Sequence, residues 1–370
     1  MKKRVVHYTI GFHYPSRGGV ETYIHNFFKM TGDFYESIVV CKNGGDIKGG
    51  VKTVCSISKN GNTSNYHKKY SYLFPDNVLP QWSTEFDEQT INIINSLNPD
   101  ILIVYGNDFI EMLIVLVECK ASRKFLRIQR PILPEMEFLK KYPEIEILVF
   151  NPNHIPIIND ELKMKNTVHY IPHSFDDSLF YPKHNDRSDV KRINFLYTGR
   201  ISKNKQTKEL VNVFNKIILD DKIDVGLDIV GGTFNFAYYN EVINTIKTGN
   251  IVIQPWCEHS KLAEIYRQHE CVVIPSYTES FCASALEALA SGCIVVMNTT
   301  SSDYWNKGLV VNGCHLLNEE PSEKTLYEGV NYVIKHFSEL RSKTIKNAEY
   351  VRLNYSFTSV KDKWLSLLSS

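Results

Sequence analysis

The stretch TESFCASALEALASGCIVV, Thr278 to Val296, decides how this chain is read. Two glutamates, Glu279 and Glu287, stand eight positions apart around small and apolar residues, and Gly292 closes the run before an apolar stretch of strand length. Just upstream, CVVIP reads as a strand and Ser276 to Glu279 as the loop at its carboxyl end. Ser280 has the chemistry of an N-cap, so the pattern predicts a helix from Phe281 to Ser291 with Gly292 as C-cap. The first free N–H groups of such a helix suit an anion such as a diphosphate. Side chains in a helix lean toward its N-terminus, which turns Glu287 toward the mouth that Glu279 flanks. An ionised glutamate there can accept from two vicinal hydroxyls, as on a ribose. The same spacing also fits a surface glutamate beside a capping turn, and periodicity alone does not separate the two.

Outward from this stretch, strand-length apolar runs alternate with helical patterns. RVVHYTI, SIVVCK, VKTVCS, DILIVY, KFLRI, EILVF and TVHYI are strand candidates in the first half, with helices expected over Val20–Met30 and Glu85–Leu97. IPHSFDDSLFYPKHNDRSD (Ile171 to Asp189) carries two prolines and many turn-forming residues, and reads as a linker. A second series follows: INFLYTG, a helix over Thr207–Leu219, VGLDIVG, a helix near Ala237–Lys247, NIVIQ, a short helix at Lys261–Arg267, CVVIP, the opening stretch, and CIVVM. Such alternation implies βαβ units and parallel sheets covered by helices. The expected fold class is therefore α/β, with two doubly wound, Rossmann-like domains and ligands at the carboxyl ends of the strands in the cleft they face across. The tail from Tyr355 reads as one amphipathic helix with Val360, Trp364, Leu365 and Leu368 on one side.

Composition narrows the function classes. At 370 residues the chain suits two domains, and 43% hydrophobic with 22% charged residues is globular material. A net charge of +1 gives no reason to invoke nucleic acid. The start, MKKRVVHYTIGFHY, lacks the long apolar region of a signal peptide, and no run approaches the ~18 apolar residues of a membrane span. Eight cysteines without a C-x-x-C pair read as reduced thiols, which points to the cytosol. Metalloprotease, nucleophile-elbow and P-loop motifs are missing, and the Asp176-Asp177 and Asp220-Asp221 pairs read as turns or caps.

The run ESFCASALEALASG, with LAEIYRQHECVVIPSYTESF leading into it, resembles the E-x7-E signature of retaining GT-B glycosyltransferases, specifically the glycosyltransferase group 1 family (family 4). YTGRISKNKQTKEL is similar to that family's strand-loop-helix with Arg200 and Lys205 five apart. SRGGVETYIHNF resembles its N-terminal glycine loop, where Gly18 and Gly19 would let backbone approach the donor phosphate or acceptor, and IPHSFDDSLFYP its linker. The resemblance implies a GT-B enzyme with an acceptor-binding domain over 1–172, a nucleotide-sugar domain over 173–354, and a closing helix over 355–370 that crosses back to the N-terminal domain. It implies that Glu279 lies beside the donor sugar and that Ser280, Phe281, Cys282 and Ala283 hold the diphosphate. Glu287 would hold the ribose, and two cations at a strand end, Arg200 and Lys205, would neutralise the leaving group.

The family usually has glycine where Cys282 and Gln206 stand. Many members also carry a histidine near KFLRIQRPILP, where Gln129 and Arg130 are found, and another where Tyr105 stands; these three are candidate contacts to donor sugar or acceptor. His154 and His173 are the histidines to examine for a substitute role. The implied reaction is retaining transfer from a nucleotide diphosphate sugar, UDP first and GDP next, to a hydroxyl of a glycan or lipid-linked acceptor in bacterial surface polysaccharide synthesis. It needs no metal and no cofactor, and it suits a cytoplasmic protein that touches the inner membrane face peripherally. GNTSNYHKKYSYLFPDNVLPQW (Gly61 to Trp82) is an aromatic-rich insertion that could line the acceptor site or simply pack as a loop. The competing expectation is a catalytically weakened GT-B-like subunit that binds a donor or a partner without turnover.

Overall fold

Alternating apolar runs become two parallel sheets in the computed structural model, which describes residues 2–12, 16, 18–44, 52–55, 89–106, 110–128, 134–182, 192–277, 279, 281–298, 314–317 and 320–370. The first sheet contains β1 (Lys3–Phe12), β2 (Tyr35–Gly44), β3 (Lys52–Cys55), β4 (Ile101–Tyr105), β5 (Arg123–Arg127), β6 (Glu146–Val149) and β7 (Val168–Tyr170), in the order β3-β2-β1-β4-β5-β6-β7. The second contains β8 (Ile193–Thr198), β9 (Val225–Val230), β10 (Ile251–Gln254), β11 (Cys271–Ile274), β12 (Ile294–Asn298) and β13 (Cys314–Leu317), in the order β10-β9-β8-β11-β12-β13. Every pairing recorded among these strands is parallel.

Such strands are buried on both faces, which explains why they read as continuous rather than alternating apolar runs. All five residues of β4 and all four of β11 are buried. In each sheet the strand order reverses beside the first strand, at β1/β4 and at β8/β11. At such a switch point the following loops diverge and leave a crevice at the carboxyl ends. In the second sheet those loops are the ones that carry Lys205 and Glu279.

The helices are α1 (Gly19–Thr31), α2 (Gln89–Ser96), α3 (Ile110–Glu118), α4 (Thr207–Asn215), α5 (Phe236–Thr245), α6 (His259–Gln268), α7 (Ala283–Ala290), α8 (Glu323–Lys335), α9 (Phe337–Ser342), α10 (Thr344–Tyr355) and α11 (Phe357–Ser369). A single wide turn, Lys216–Asp220, prolongs α4 to about the length its periodicity predicts. The chain divides into two compact units. One is Met1–Ser16, Val20–Pro172 and Lys361–Ser370; the other is His173–Val360 with the short stretch Arg17–Gly19.

The closing helix differs from its expected form in two ways. It begins at Phe357, because Ser356 is extended (φ −66°, ψ 161°) and bridges Phe175 instead of continuing α10. Its buried stripe is Val360, Trp364, Leu367 and Leu368, while Leu365 is only half-buried. That i, i+4, i+7, i+8 spacing is the wider apolar face of a helix against a core. Trp364 meets Phe27 edge-on at 4.8 Å, and Arg123 donates to the Leu367 carbonyl at 2.5 Å while a two-point contact to Glu146 (2.8 and 2.7 Å) holds its guanidinium. Burial would raise the Glu146 carboxyl, but hydrogen bonds from His169 and Arg123 outweigh it and hold it down at about 2.

Candidate active site

At the carboxyl end of β8 the chain turns through Gly199 (φ +149°), and the Tyr197 hydroxyl donates to the Arg200 carbonyl at 2.6 Å. A Cβ on Gly231, at the end of β9, would lie 1.8 Å from the Gly199 carbonyl oxygen, so only glycine lets the two loops touch backbone to backbone. Arg200 is left exposed on this turn. One tight helical turn, Lys203–Lys205, follows, and then Gln206 in the left-handed region (φ 46°, ψ 38°) before α4 begins.

The loop after β11 closes on this turn. The Tyr277 amide donates to the Asn204 carbonyl at 2.9 Å. The Lys205 ammonium lies 2.5 Å from Glu279 Oε1, and the Ser276 hydroxyl donates to the same oxygen at 2.6 Å. Ser276 is fully buried, and the Lys205 and Glu279 side chains are 16% and 13% exposed. This ion pair is thus better shielded from salt than a surface pair.

The signature helix starts later than its sequence suggests. It runs Ala283–Ala290, with Cys282 in the N-cap position in the left-handed region (φ 69°, ψ 76°) and no side-chain cap. The expected start at Phe281 is therefore corrected by two residues. A residue with positive φ cannot belong to a right-handed helix, and Cys282 reverses the chain so that the loop enters the first turn. Ser280 itself lies outside the described residues. Of the first-turn amides beyond Cys282, that of Ala285 donates to the Cys282 carbonyl at 3.1 Å, and a helix start of this kind leaves its leading N–H groups without intrahelical partners.

Glu287 is not a surface residue. It is 6% exposed, one turn and more inside α7, and burial pushes its carboxyl up to about 8 against the opposing effect of the Tyr266 hydroxyl. That hydroxyl stands 3.5 Å from Glu287 Oε2 and is shared with Thr198 Oγ1 (2.7 Å) and the Ser284 carbonyl (3.4 Å). His259 Nε2 is 3.9 Å from Oε1, too far for a hydrogen bond. The carboxyl therefore has acceptor capacity that the protein leaves largely unused. Of the two readings open from spacing alone, burial removes the capping-turn glutamate.

Glu279, Lys205, Phe281, Cys282, Ala283 and Glu287 come together at the carboxyl end of the second sheet, and Arg200 stands on the same loop as Lys205. Gly18 and Gly19 are exposed where α1 begins, and a Cβ at either would meet nothing within 4 Å. Neither local packing nor backbone geometry therefore accounts for glycine at these two positions. Tyr105 lies in the interior of the first unit, 3% exposed, with its hydroxyl 2.8 Å from His7 Nδ1. His154 is buried beside Phe150. Gln129, Arg130 and the insertion Gly61–Trp82 lie outside the described residues. Ser276, Tyr266 and His259 join the site without having been singled out by sequence; of these only Ser276, three positions before Glu279, carries a spacing signal. Among the described residues no group of three His, Cys, Asp or Glu side chains could hold a metal ion, and no helix is long and apolar enough to cross a membrane.

Comparison with known proteins bears on the fold. Residues 183–351 match the family described as glycosyl transferases group 1. Over 112 residues the chain is 29% identical to an uncharacterized 41.2 kDa protein in the cps region of Klebsiella pneumoniae, a match that takes in 30% of this chain and 29% of that one. The chain spans less than half the length of the curated relatives it matches. Over nearly its whole length it superposes on the sucrose-phosphate synthase of Thermosynechococcus elongatus (TM-score 0.72, 14% identity, 100% and 98% of the two chains). It does so equally on Anabaena HepE in complex with UDP-glucose (TM-score 0.71, 11% identity, 99% and 99%). At these identities the likeness is one of fold.

Two glycine-type positions at the mouth of the site, Gln206 and Cys282, are therefore occupied by residues that strain there. A left-handed non-glycine residue costs about 1–2 kcal/mol. Gln206→Gly and Cys282→Gly are each expected to raise the thermal midpoint, with a gain of roughly 0.5–1 kcal/mol after the extra freedom of glycine in the unfolded chain. A lowered midpoint in both variants would contradict this account of the loops.

Proposed function

We propose that this chain, whose residues 183–351 match the glycosyl transferases group 1 family and which has the GT-B fold, transfers a sugar from a nucleotide diphosphate sugar to an acceptor hydroxyl with retention of configuration. The observation that carries the reading is the pairing of a buried, under-used carboxyl, Glu287, with a cation, Lys205, and a helix N-terminus at one switch point of one sheet. Ribose hydroxyls supply the donors that Glu287 lacks. The diphosphate takes the positive charge of Lys205 and Arg200 and the first-turn amides of α7. Glu279 turns to the hydroxyls of the donor sugar.

As the bond from the anomeric carbon to the phosphate oxygen breaks, the negative charge grows on the diphosphate, where these cations and amides stand. The acceptor oxygen forms the new bond on the same face, and its proton passes to the departing phosphate oxygen. No protein nucleophile and no metal take part in this scheme. UDP is the preferred nucleotide and GDP the next, a ranking supported by the UDP-glucose complex of Anabaena HepE. The acceptor is a hydroxyl of a glycan or a lipid-linked saccharide in bacterial surface polysaccharide synthesis, a reading supported by the Klebsiella relative from the cps region. Acceptor recognition falls to the first unit, Gly18 and Gly19 let backbone approach the donor phosphate or the acceptor, and Gln129, Arg130 and Tyr105 are further contacts to donor sugar or acceptor. The protein would work in the cytoplasm, touching the inner membrane face at most peripherally.

Calorimetric titration with UDP, GDP and ADP tests the donor site. UDP is expected to bind most tightly, and Glu287→Ala to abolish binding. Hydroxyl donors favour the charged carboxyl, so nucleotide binding pulls the Glu287 pKa below its free value of about 8. The complex then holds fewer protons than the free protein, so binding releases a proton near pH 7 and affinity falls as pH drops below 8. Titration in buffers of different ionisation heat reads that release. No binding by any of the three nucleotides would sink the donor assignment, and binding without slow release of free sugar from the matching donor would favour the non-catalytic reading.

The ion pair makes a second, opposite expectation. Lys205 must leave Glu279 to reach a diphosphate, so Glu279→Gln removes a competitor. Its affinity for UDP is expected to rise by about two- to fivefold while turnover of the UDP-sugar falls. A loss of UDP affinity in this variant would show that Glu279 does not compete for the lysine.

A further inference from the structure

We propose that His173, where the long segment of the second unit begins, is a positioning residue for the loop that carries the diphosphate amides. Its ring is 6% exposed and lies face to face on Phe281, with centroids 4.3 Å apart and planes inclined by 14°. Phe281 is itself 1% exposed, and its ring lies 6.5 Å from that of Tyr355. The two flanking rings share one rigid frame. The Phe175 amide donates to the Tyr355 carbonyl and the Phe357 amide to the Phe175 carbonyl, both at 3.0 Å, while Phe175 bridges Ser356. His173, two residues before Phe175, and Tyr355, just before Ser356, are thereby tied to the same frame, and Phe281 packs against both.

The residue after Phe281 is Cys282, left-handed and without a side-chain cap. A non-glycine residue stays in that region only where its surroundings over-determine it. Cys282 is 8% exposed, but its own loop supplies little: the Ala285 amide donates to its carbonyl at 3.1 Å. The stacked ring of Phe281 is the anchor immediately ahead of the reversal, and His173 is what it stacks on. Loss of the imidazole would free Phe281 to rotate and let Cys282 relax, displacing the first turn of α7. His173 touches no reacting group in this scheme; it acts through Phe281. The part of the inference that concerns donor affinity rests on the function proposed above, whereas the part that concerns loop order does not.

Two readouts keep these apart. The first is thiol labelling resolved by peptide mass mapping in the wild type, His173→Ala and His173→Phe. An aromatic pair is worth about 0.5–1.5 kcal/mol, or roughly two- to tenfold in the opening equilibrium. Labelling of Cys282 is therefore expected to accelerate by about that factor in His173→Ala, with the core thiols Cys271 and Cys293 unchanged, and to return toward wild type in His173→Phe. The second is UDP affinity, expected to weaken by about the same factor in His173→Ala and to recover in His173→Phe. Unchanged labelling of Cys282, or parallel acceleration at all three cysteines, would overturn the proposal, since the second pattern means general loosening. Should the wild type bind no nucleotide, the donor function fails and the labelling still decides the role of His173.

Discussion

An ammonium and a carboxylate 2.5 Å apart, Lys205 and Glu279, join two loops that topology would otherwise leave diverging. The loops leave adjacent parallel strands, β8 and β11, on opposite sides of the point where strand order reverses. The ion pair, the Ser276 hydroxyl and the Tyr277–Asn204 backbone bond hold them together. The entry to α7 and the position of Glu287 follow from where the β11 loop is pinned. Glu279 thereby neutralises the Lys205 cation.

Around this tie the chain accepts strain at two points. Gln206 and Cys282 both hold positive φ, and both are buried, at 2% and 8% exposure. Each stands just ahead of a helix, and each sets the direction in which first-turn amides face. The side chains differ, but the backbone requirement is the same one that glycine meets without cost. The strain is borne by neighbours: Gly231 against Gly199 beneath the first loop, and the His173–Phe281 stack beside the second.

Much of this was legible in the sequence, and the reasons differ by element. Strands such as Ile101–Tyr105 and Cys271–Ile274 stand out because burial on both faces demands unbroken apolar runs. The start of α7 was misjudged because Ser280 has the chemistry of a cap, whereas the actual boundary is set by a left-handed cysteine, a conformation that no side-chain pattern announces. The closing helix shifted for a similar reason, since Ser356 bonds across to Phe175 rather than along the helix. Whether Glu287 faces solvent or the interior could not be read from spacing; it depends on Tyr266 and on the packing of α6 and α7, contacts far apart in sequence. The strand Cys314–Leu317 and the helices over 323–355 are additions to the elements expected from sequence. Ser276 could have been found from its place three residues before Glu279; Tyr266 and His259 could not.

The most direct measurement of the central claim is a crystal structure of the protein with UDP bound. The account predicts Lys205 Nζ withdrawn from Glu279 and within hydrogen-bond distance of a phosphate oxygen, the diphosphate on the amides beyond Cys282, and both ribose hydroxyls on the Glu287 carboxylate. UDP bound elsewhere, or bound with Lys205 still paired to Glu279 and Glu287 untouched, would contradict it.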